Sequence, residues 1–172
     1  MRRRQAFTLI ELAVVALILA IAASLAVPRL GGGGLLGRRL RSAATRLAVF
    51  MDRARDRAVS FHRTHYVVLR LRTGQYDLLG AAEPDGPLET VASGRLPEGV
   101  RFETARLAGQ IGVLGDEVRL AFAPEGWMDD ATIVLADEKG DAFTVAVSNA
   151  EGRVEVSEGR IGVPGLTGSG RR

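Results

Sequence analysis

Cysteine is absent, so the chain has no disulfide, no thiolate ligand and no thiol nucleophile. A destination outside the reducing cytoplasm is compatible with that absence but not required by it. Histidine is almost as scarce. His62 and His65 form one H-x-x-H, with no H-E-x-x-H context and no companion set of ligands to close a metal site. They read as surface or partly buried structural histidines. Ser60 lies near His62 but not in a G-x-S-x-G elbow. Gly31 to Gly34 have no Gly-Lys-Ser/Thr after them and no strand signal before them, which makes a phosphate-binding loop a poor reading. Asp137, Glu138 and Asp141 could gather around a hard cation such as Ca²⁺, but EF-hand spacing is missing and an acidic hairpin turn is the simpler reading. The single tryptophan, Trp127, reads as core packing, with an exposed partner contact as the alternative. No constellation for catalysis, metal or cofactor emerges, and an enzyme is not expected.

Acidic residues are also lacking in one region. From Arg29 to Arg72 there are 11 basic and 2 acidic residues; from Thr73 to the end there are 9 basic and 17 acidic. The whole chain carries a formal net charge of +3, and Arg2, Arg3 and Arg4 alone supply that much. The basic stretch fits a solvated helix face, a contact between basic stems and acidic heads of neighbouring subunits, or attraction to lipid phosphate or nucleic acid. The acidic later half weakens the nucleic-acid version.

What is present in abundance is apolar sequence near the start. A basic leader, residues 1–6, precedes an apolar run from Phe7 to Val27 that only one charge, Glu11, interrupts. A helix of that length, rising about 1.5 Å per residue, matches a hydrocarbon core of roughly 30 Å. A carboxylate inside a span costs about 2.5–3.5 kcal/mol on insertion scales, so its presence implies a use, such as neutralising an amine on a partner. Two plainer readings compete: a Sec signal peptide cut near Ser24-Leu25-Ala26, and a single-span anchor with Glu11 snorkelling. The position of Glu11 near the start of the apolar region argues against the first. In all cases Arg2 to Arg4 stay cytoplasmic and the remainder lies across the membrane.

The leader, the Phe7-Thr8-Leu9-Ile10-Glu11-Leu12 stretch and the apolar run resemble the type III signal of type IV pilins and type II secretion pseudopilins. The resemblance implies cleavage by a prepilin peptidase between Ala6 and Phe7, methylation of the new Phe7 amine, and assembly of the apolar helices into a filament core. Glu11 would pair with the N-terminal amine of a neighbouring subunit. The family pattern has glycine before the cut, where this chain has Ala6.

Pro28 and the four glycines mark residues 29–37 as a hinge after a span over 7–28. Residues 38–61 then repeat apolar positions at three and four spacings (Leu40, Ala43, Ala44, Leu47, Phe50, Met51, Ala54, Ala58, Phe61), predicting an amphipathic stem helix. From His62 to Ser157 the pattern is a β-rich head. Short strands are expected over 64–71, 75–79, 88–96, 100–103, 118–123, 132–135, 142–148 and 153–156, with 105–115 irregular. Regular strands separated by turn signals suggest a sandwich. The Gly-rich residues 158–172 are expected to form a mobile tail.

The arginine-rich stem, the THYVVLRL strand, Phe122-Ala123-Pro124-Glu125-Gly126 and the Asn149-Ala150-Glu151-Gly152-Arg153-Val154 return resemble the GspH family of type II secretion minor pseudopilins and the related FimT/FimU-type minor pilins. That resemblance implies an α+β, pilin-like fold: a long N-terminal helix packed on two antiparallel sheets. It implies a single-pass inner-membrane protein with a periplasmic head, sitting at or near a pseudopilus tip and supporting secretion across the outer membrane. Its partners would be other pseudopilins, the prepilin peptidase and the inner membrane. The alternative is a FimT/FimU-like type IV minor pilin in pilus assembly or DNA uptake, with Arg153, Arg160, Arg171 and Arg172 as candidate DNA contacts.

Overall fold

The computed structural model describes residues 10–18, 35–81, 86–108 and 115–162. The chain divides into two compact units, Met1–Leu35 and Leu36–Arg172. In the first, residues 10–18 are helical (α1). They belong to the span expected over 7–28, whose remaining residues lie outside the described ones. Among the described residues no helix is both long and apolar enough to cross a membrane.

The second unit opens with the 27-residue helix α2 (Leu35–Phe61). It starts earlier than expected: Leu35, Leu36 and Gly37, assigned to a hinge by the sequence reading, are helical. Two leucines are good helix formers, and one glycine at about 1 kcal/mol does not stop a helix that packs along its length. Residues 29–34 lie outside the described ones. The buried stripe is Leu40, Ala43, Ala44, Leu47, Ala48, Met51, Ala54 and Ala58. Five of these eight are alanines.

Helix α2 ends in a Schellman motif. Arg63 N–H donates to Ala58 C=O and His62 N–H to Val59 C=O, with His62 left-handed at φ 51°. The two histidines therefore serve separate elements. His62 closes the helix, and His65 opens the first strand as a buried side chain whose Nδ1 lies 3.0 Å from the Arg63 carbonyl.

Eight strands follow: β1 (His65–Arg70), β2 (Gln75–Ala81), β3 (Leu88–Arg95), β4 (Val100–Leu107), β5 (Glu117–Phe122), β6 (Ala131–Asp137), β7 (Ala142–Ser148) and β8 (Arg153–Glu158). They form two antiparallel four-stranded sheets, ordered β3-β2-β1-β5 and β4-β6-β7-β8. The predicted α+β architecture is thus the observed one. Residues 105–107, read as irregular from their neighbouring glycines, continue β4 after a bulge between Phe102 and Thr104. The inner faces share one core with α2. Val67, Leu69, Leu78 and Leu120 come from the first sheet, and Phe102, Ile133, Leu135 and Val145 from the second.

Two expectations need correction. Trp127 is not core: it is 48 % exposed, while its neighbour Met128 is fully buried and bridges to Phe122. Successive residues of an extended segment face opposite ways, and here the inward position falls on the methionine. The second is the tail expected from Glu158: residues 158–162 are held against the head. Glu158 closes β8, and the chain then straps across the outer face of the second sheet. Thr144 Oγ1 donates to Gly159 C=O and accepts from Ile161 N–H, while Arg160 makes a bidentate ion pair with Glu103 at 2.7 Å. The strap explains why every residue of β6, on both faces, is buried. Residues 163–172 lie outside the described ones.

Candidate functional site

Two regions are candidates: the N-terminal segment and the outer surface of α2. Ala6 and Phe7, the expected cleavage pair, lie outside the described residues. Glu11 sits exposed on α1, and the apolar side chains around it are also turned outward, from Val14 and Val15 at 49 % to Ile10 at 73 % exposed. A helix apolar on all sides is built for surroundings that are apolar on all sides: lipid, or other helices.

On the head, the chemistry-bearing residues resolve into structural roles. The Asp137 carboxylate is buried and its Oδ1 accepts from the backbone N–H groups of Lys139 and Asp141, the geometry of an acidic hairpin turn. Glu138 and Asp141 stay exposed on that turn. Among the described residues no three His, Asp or Glu side chains come together as a metal site. Of the arginines proposed for DNA, Arg153 pairs with Glu151 and Glu155 and Arg160 with Glu103. Carboxylates thus neutralise both. Arg171 and Arg172 lie outside the described residues.

A row of uncompensated charge lies on α2. Arg38, Arg39, Arg41, Arg46 and Arg53 are exposed and make no ion pair among the described residues, where the ion pairs engage Arg70, Arg72, Arg153 and Arg160. Two of them, Arg46 and Arg53, flank a cleft of about 340 Å³ between α2 and the β2–β3 edge. Its floor is apolar: Val49 is 43 % exposed, and the Phe50 and Tyr76 rings meet edge to face at 4.8 Å between centroids. Gly94 opposite Tyr76 keeps the floor open, since a Cβ there would fall 2.1 Å from the Tyr76 ring. Burial pushes the Tyr76 phenol above its ordinary pKa, with Arg46 pulling the other way. Sequence reading found the basic stem but not this cleft, because a cleft between helix and sheet edge depends on packing that no local pattern records.

The far end of α2 carries a second feature. Arg55 Nη1 donates to Gly152 C=O at 2.6 Å, tying the helix to the β7–β8 turn. The Pro124–Trp127 turn lies over the same stretch, so that a Cβ on Gly126 would sit 3.9 Å from Val59 Cγ2. Glu125 and Trp127 point to solvent there.

Residues 1–27 match the family model described as the prokaryotic N-terminal methylation motif. No curated protein matches the chain. Among solved structures it is similar to the minor pseudopilin EpsH from the type II secretion system of Vibrio cholerae, in two structures of that protein. One has a TM-score of 0.57 at 13 % identity over 73 % of this chain and 98 % of that one. The other has 0.56 at 12 % identity over 70 % and 97 %. It is also similar to the type IV minor pilin FimU of Pseudomonas aeruginosa, with a TM-score of 0.51 at 17 % identity over 70 % of this chain and 89 % of that one. At such identities the likeness is one of fold. The chain thus carries a prepilin-type N-terminal methylation motif, which implies membrane anchoring, ahead of a head with the pilin-like α+β fold of GspH-like minor pseudopilins and the related FimU.

Proposed function

We propose that this protein is a structural subunit of a pilin-like filament, a minor pseudopilin of the type II secretion system at or near the pseudopilus tip, and that it catalyses no reaction. The carrying observation is the union of an N-terminal methylation motif over residues 1–27 with a GspH-like head. In this reading the peptidase cuts between Ala6 and Phe7, and the Phe7 amine is methylated. Phe7 to Val27 then serves first as an inner-membrane anchor and afterwards as filament core, with the head in the periplasm. Glu11 meets the Phe7 ammonium of a neighbouring subunit. Either charge alone is costly to bury among apolar helices, so the pair selects one register between subunits.

The test is the N-terminal mass of the protein recovered from membranes of cells that contain prepilin peptidase. The expected chain begins at methylated Phe7. A chain that keeps Met1, or that begins near Val27, would overturn the reading. A type IV minor pilin on the FimU pattern is the second reading, supported by the fold likeness to FimU. Its DNA-binding form draws no support from Arg153 and Arg160, whose guanidiniums are already engaged by carboxylates.

A further inference from the structure

Resting on the minor-subunit reading, we propose that the cleft between α2 and β3 receives an acidic, extended segment of a different filament subunit, which adds to the first sheet as a strand beside β3.

Three features of the cleft select that guest. The first is an open edge. β3 is the outermost strand of its sheet and pairs only with β2 among the described residues. Half of the backbone donors and acceptors of such a strand point away from its one neighbour. A bulge interrupts the β2–β3 register between Leu78 and Leu79, so the regular part of the edge is Ala92–Arg95. Neither lysine nor proline, two usual guards of an edge, occurs there.

The second is a vacant place for a side chain. α2 and β3 run alongside each other: Thr45, Val49 and Arg53 share one cavity with Ser93 and Gly94, and Arg57 and Phe61 share another with Glu89 and Val91. Gly94 and Ala92 oppose Tyr76 and Leu78, so on the core side β3 offers only a hydrogen and a methyl group. The next strand out lies about 4.8 Å away, and its inward side chain falls on Val49, Phe50 and the Tyr76 ring. That floor asks for an apolar or aromatic side chain.

The third is charge. Arg46 and Arg53 flank the floor, about 10 Å apart along the helix axis. Both are exposed and make no ion pair among the described residues. Inward side chains of a strand recur every second residue, about 7 Å apart. A side chain seated on the floor therefore has one inward neighbour toward each guanidinium. A carboxylate fits that place best, because a guanidinium donates two parallel N–H···O bonds to it. The guest thus reads acidic-x-apolar-x-acidic. A nucleic-acid strand would satisfy the arginines but leave the apolar floor and the open edge unused.

The chain has no cysteine, so Thr45→Cys, on the rim of the cleft, gives the full-length protein a single thiol. It is labelled with benzophenone-maleimide in membranes of cells that carry their own secretion system. After irradiation the linked peptide is sequenced. The expected product joins residue 45 to another pilin-like subunit, at a segment with the acidic-x-apolar-x-acidic pattern. Arg46→Glu with Arg53→Glu should lower its yield by about tenfold or more while leaving the urea midpoint unchanged. Arginine at the partner's two acidic positions should restore it. In the linked product the backbone amides of Ala92–Arg95 should exchange hydrogen more slowly than in the free chain, the mark of a strand added at that edge. The proposal is overturned by no product, by a product within this chain or with a second copy of it, or by a partner segment without carboxylates. Indifference to charge reversal, or unchanged exchange at Ala92–Arg95, overturns it equally. The N-terminal mass is read from the same membranes. Methylated Phe7 with no such product sinks this contact alone, whereas an uncut Met1 sinks the filament reading and the contact with it.

Discussion

Gly94 lies in the interior of β3, where glycine ordinarily weakens a strand. Its place follows from the Tyr76 ring that covers it across the strand pair: a Cβ would overlap the ring at 2.1 Å. Gly80 plays the same part beneath His65, at 2.6 Å from Nε2. Gly94→Ala is expected to destabilise the head by about 1–3 kcal/mol, the usual cost of overpacking, because Tyr76 is pinned between Gly94 and Phe50 and has little room to yield. Urea unfolding of the head would read this, and an unchanged midpoint would mean that the ring moves freely. Ion pairs set a second expectation at this scale. Hydrogen bonds from Arg160, the largest influence, hold Glu103 below the ordinary carboxylate range. For Asp77 burial is the largest single influence and pushes upward, but hydrogen bonds from Ser93 and Arg70 with the Arg70 charge bring it below that range as well. Both groups are depressed on folding. Their stabilisation is therefore complete above the unfolded carboxylate pKa and is lost as pH falls through the folded values. The urea midpoint should stay level above the ordinary carboxylate range of about 4 and drop as pH falls below it, and Arg160→Ala should remove the part due to Glu103.

At the scale of elements, much of the head was readable and the reasons for the exceptions are physical. The alanine-rich 3–4 spacing predicted α2 because the stripe that packs is also the stripe that repeats. Strands such as His65–Arg70 and Ala142–Ser148 announced themselves through β-branched residues bounded by turns. The strap was not readable. Gly159 to Gly162 carry no periodicity, and what fixes them is a threonine 15 residues away and a glutamate 57 residues away. Trp127 misled for a related reason. Size argued for burial, while the register of one short segment decided which neighbour turned inward. The end of α2 gives the element its own prediction. His62 occupies a left-handed position that glycine fills without strain. His62→Gly should stabilise the head by about 0.5–1 kcal/mol, from strain relief less the entropy that glycine adds to the unfolded chain. A loss of stability in thermal unfolding would show that the imidazole makes a contact worth more than the strain.

The whole molecule keeps its two tasks in different parts of the chain. Among the described residues, the buried core lies between Leu40 and Val147, within the unit Leu36–Arg172. The methylation motif, by contrast, is confined to residues 1–27. Substitutions at Glu11 should therefore separate assembly from folding. In Glu11→Ala the carboxylate that would meet a neighbour's Phe7 ammonium is gone, and that ammonium would enter an apolar helix bundle uncompensated. Removing one partner of a buried pair costs about 3–5 kcal/mol, enough to lower incorporation into a filament by more than a hundredfold at equilibrium. Insertion should be spared, because removing a charge makes the apolar run more favourable in lipid. Head stability should stay within about 0.5 kcal/mol of the parent chain. Glu11→Gln sharpens the result: it keeps nearly the same shape and a hydrogen-bonding oxygen but loses the charge. If charge neutralisation is the mechanism, Gln fails in filament incorporation almost as Ala does. If Gln assembles normally while Ala does not, shape or hydrogen bonding at that position carries the register. Normal incorporation of both variants would remove Glu11 from the assembly mechanism altogether.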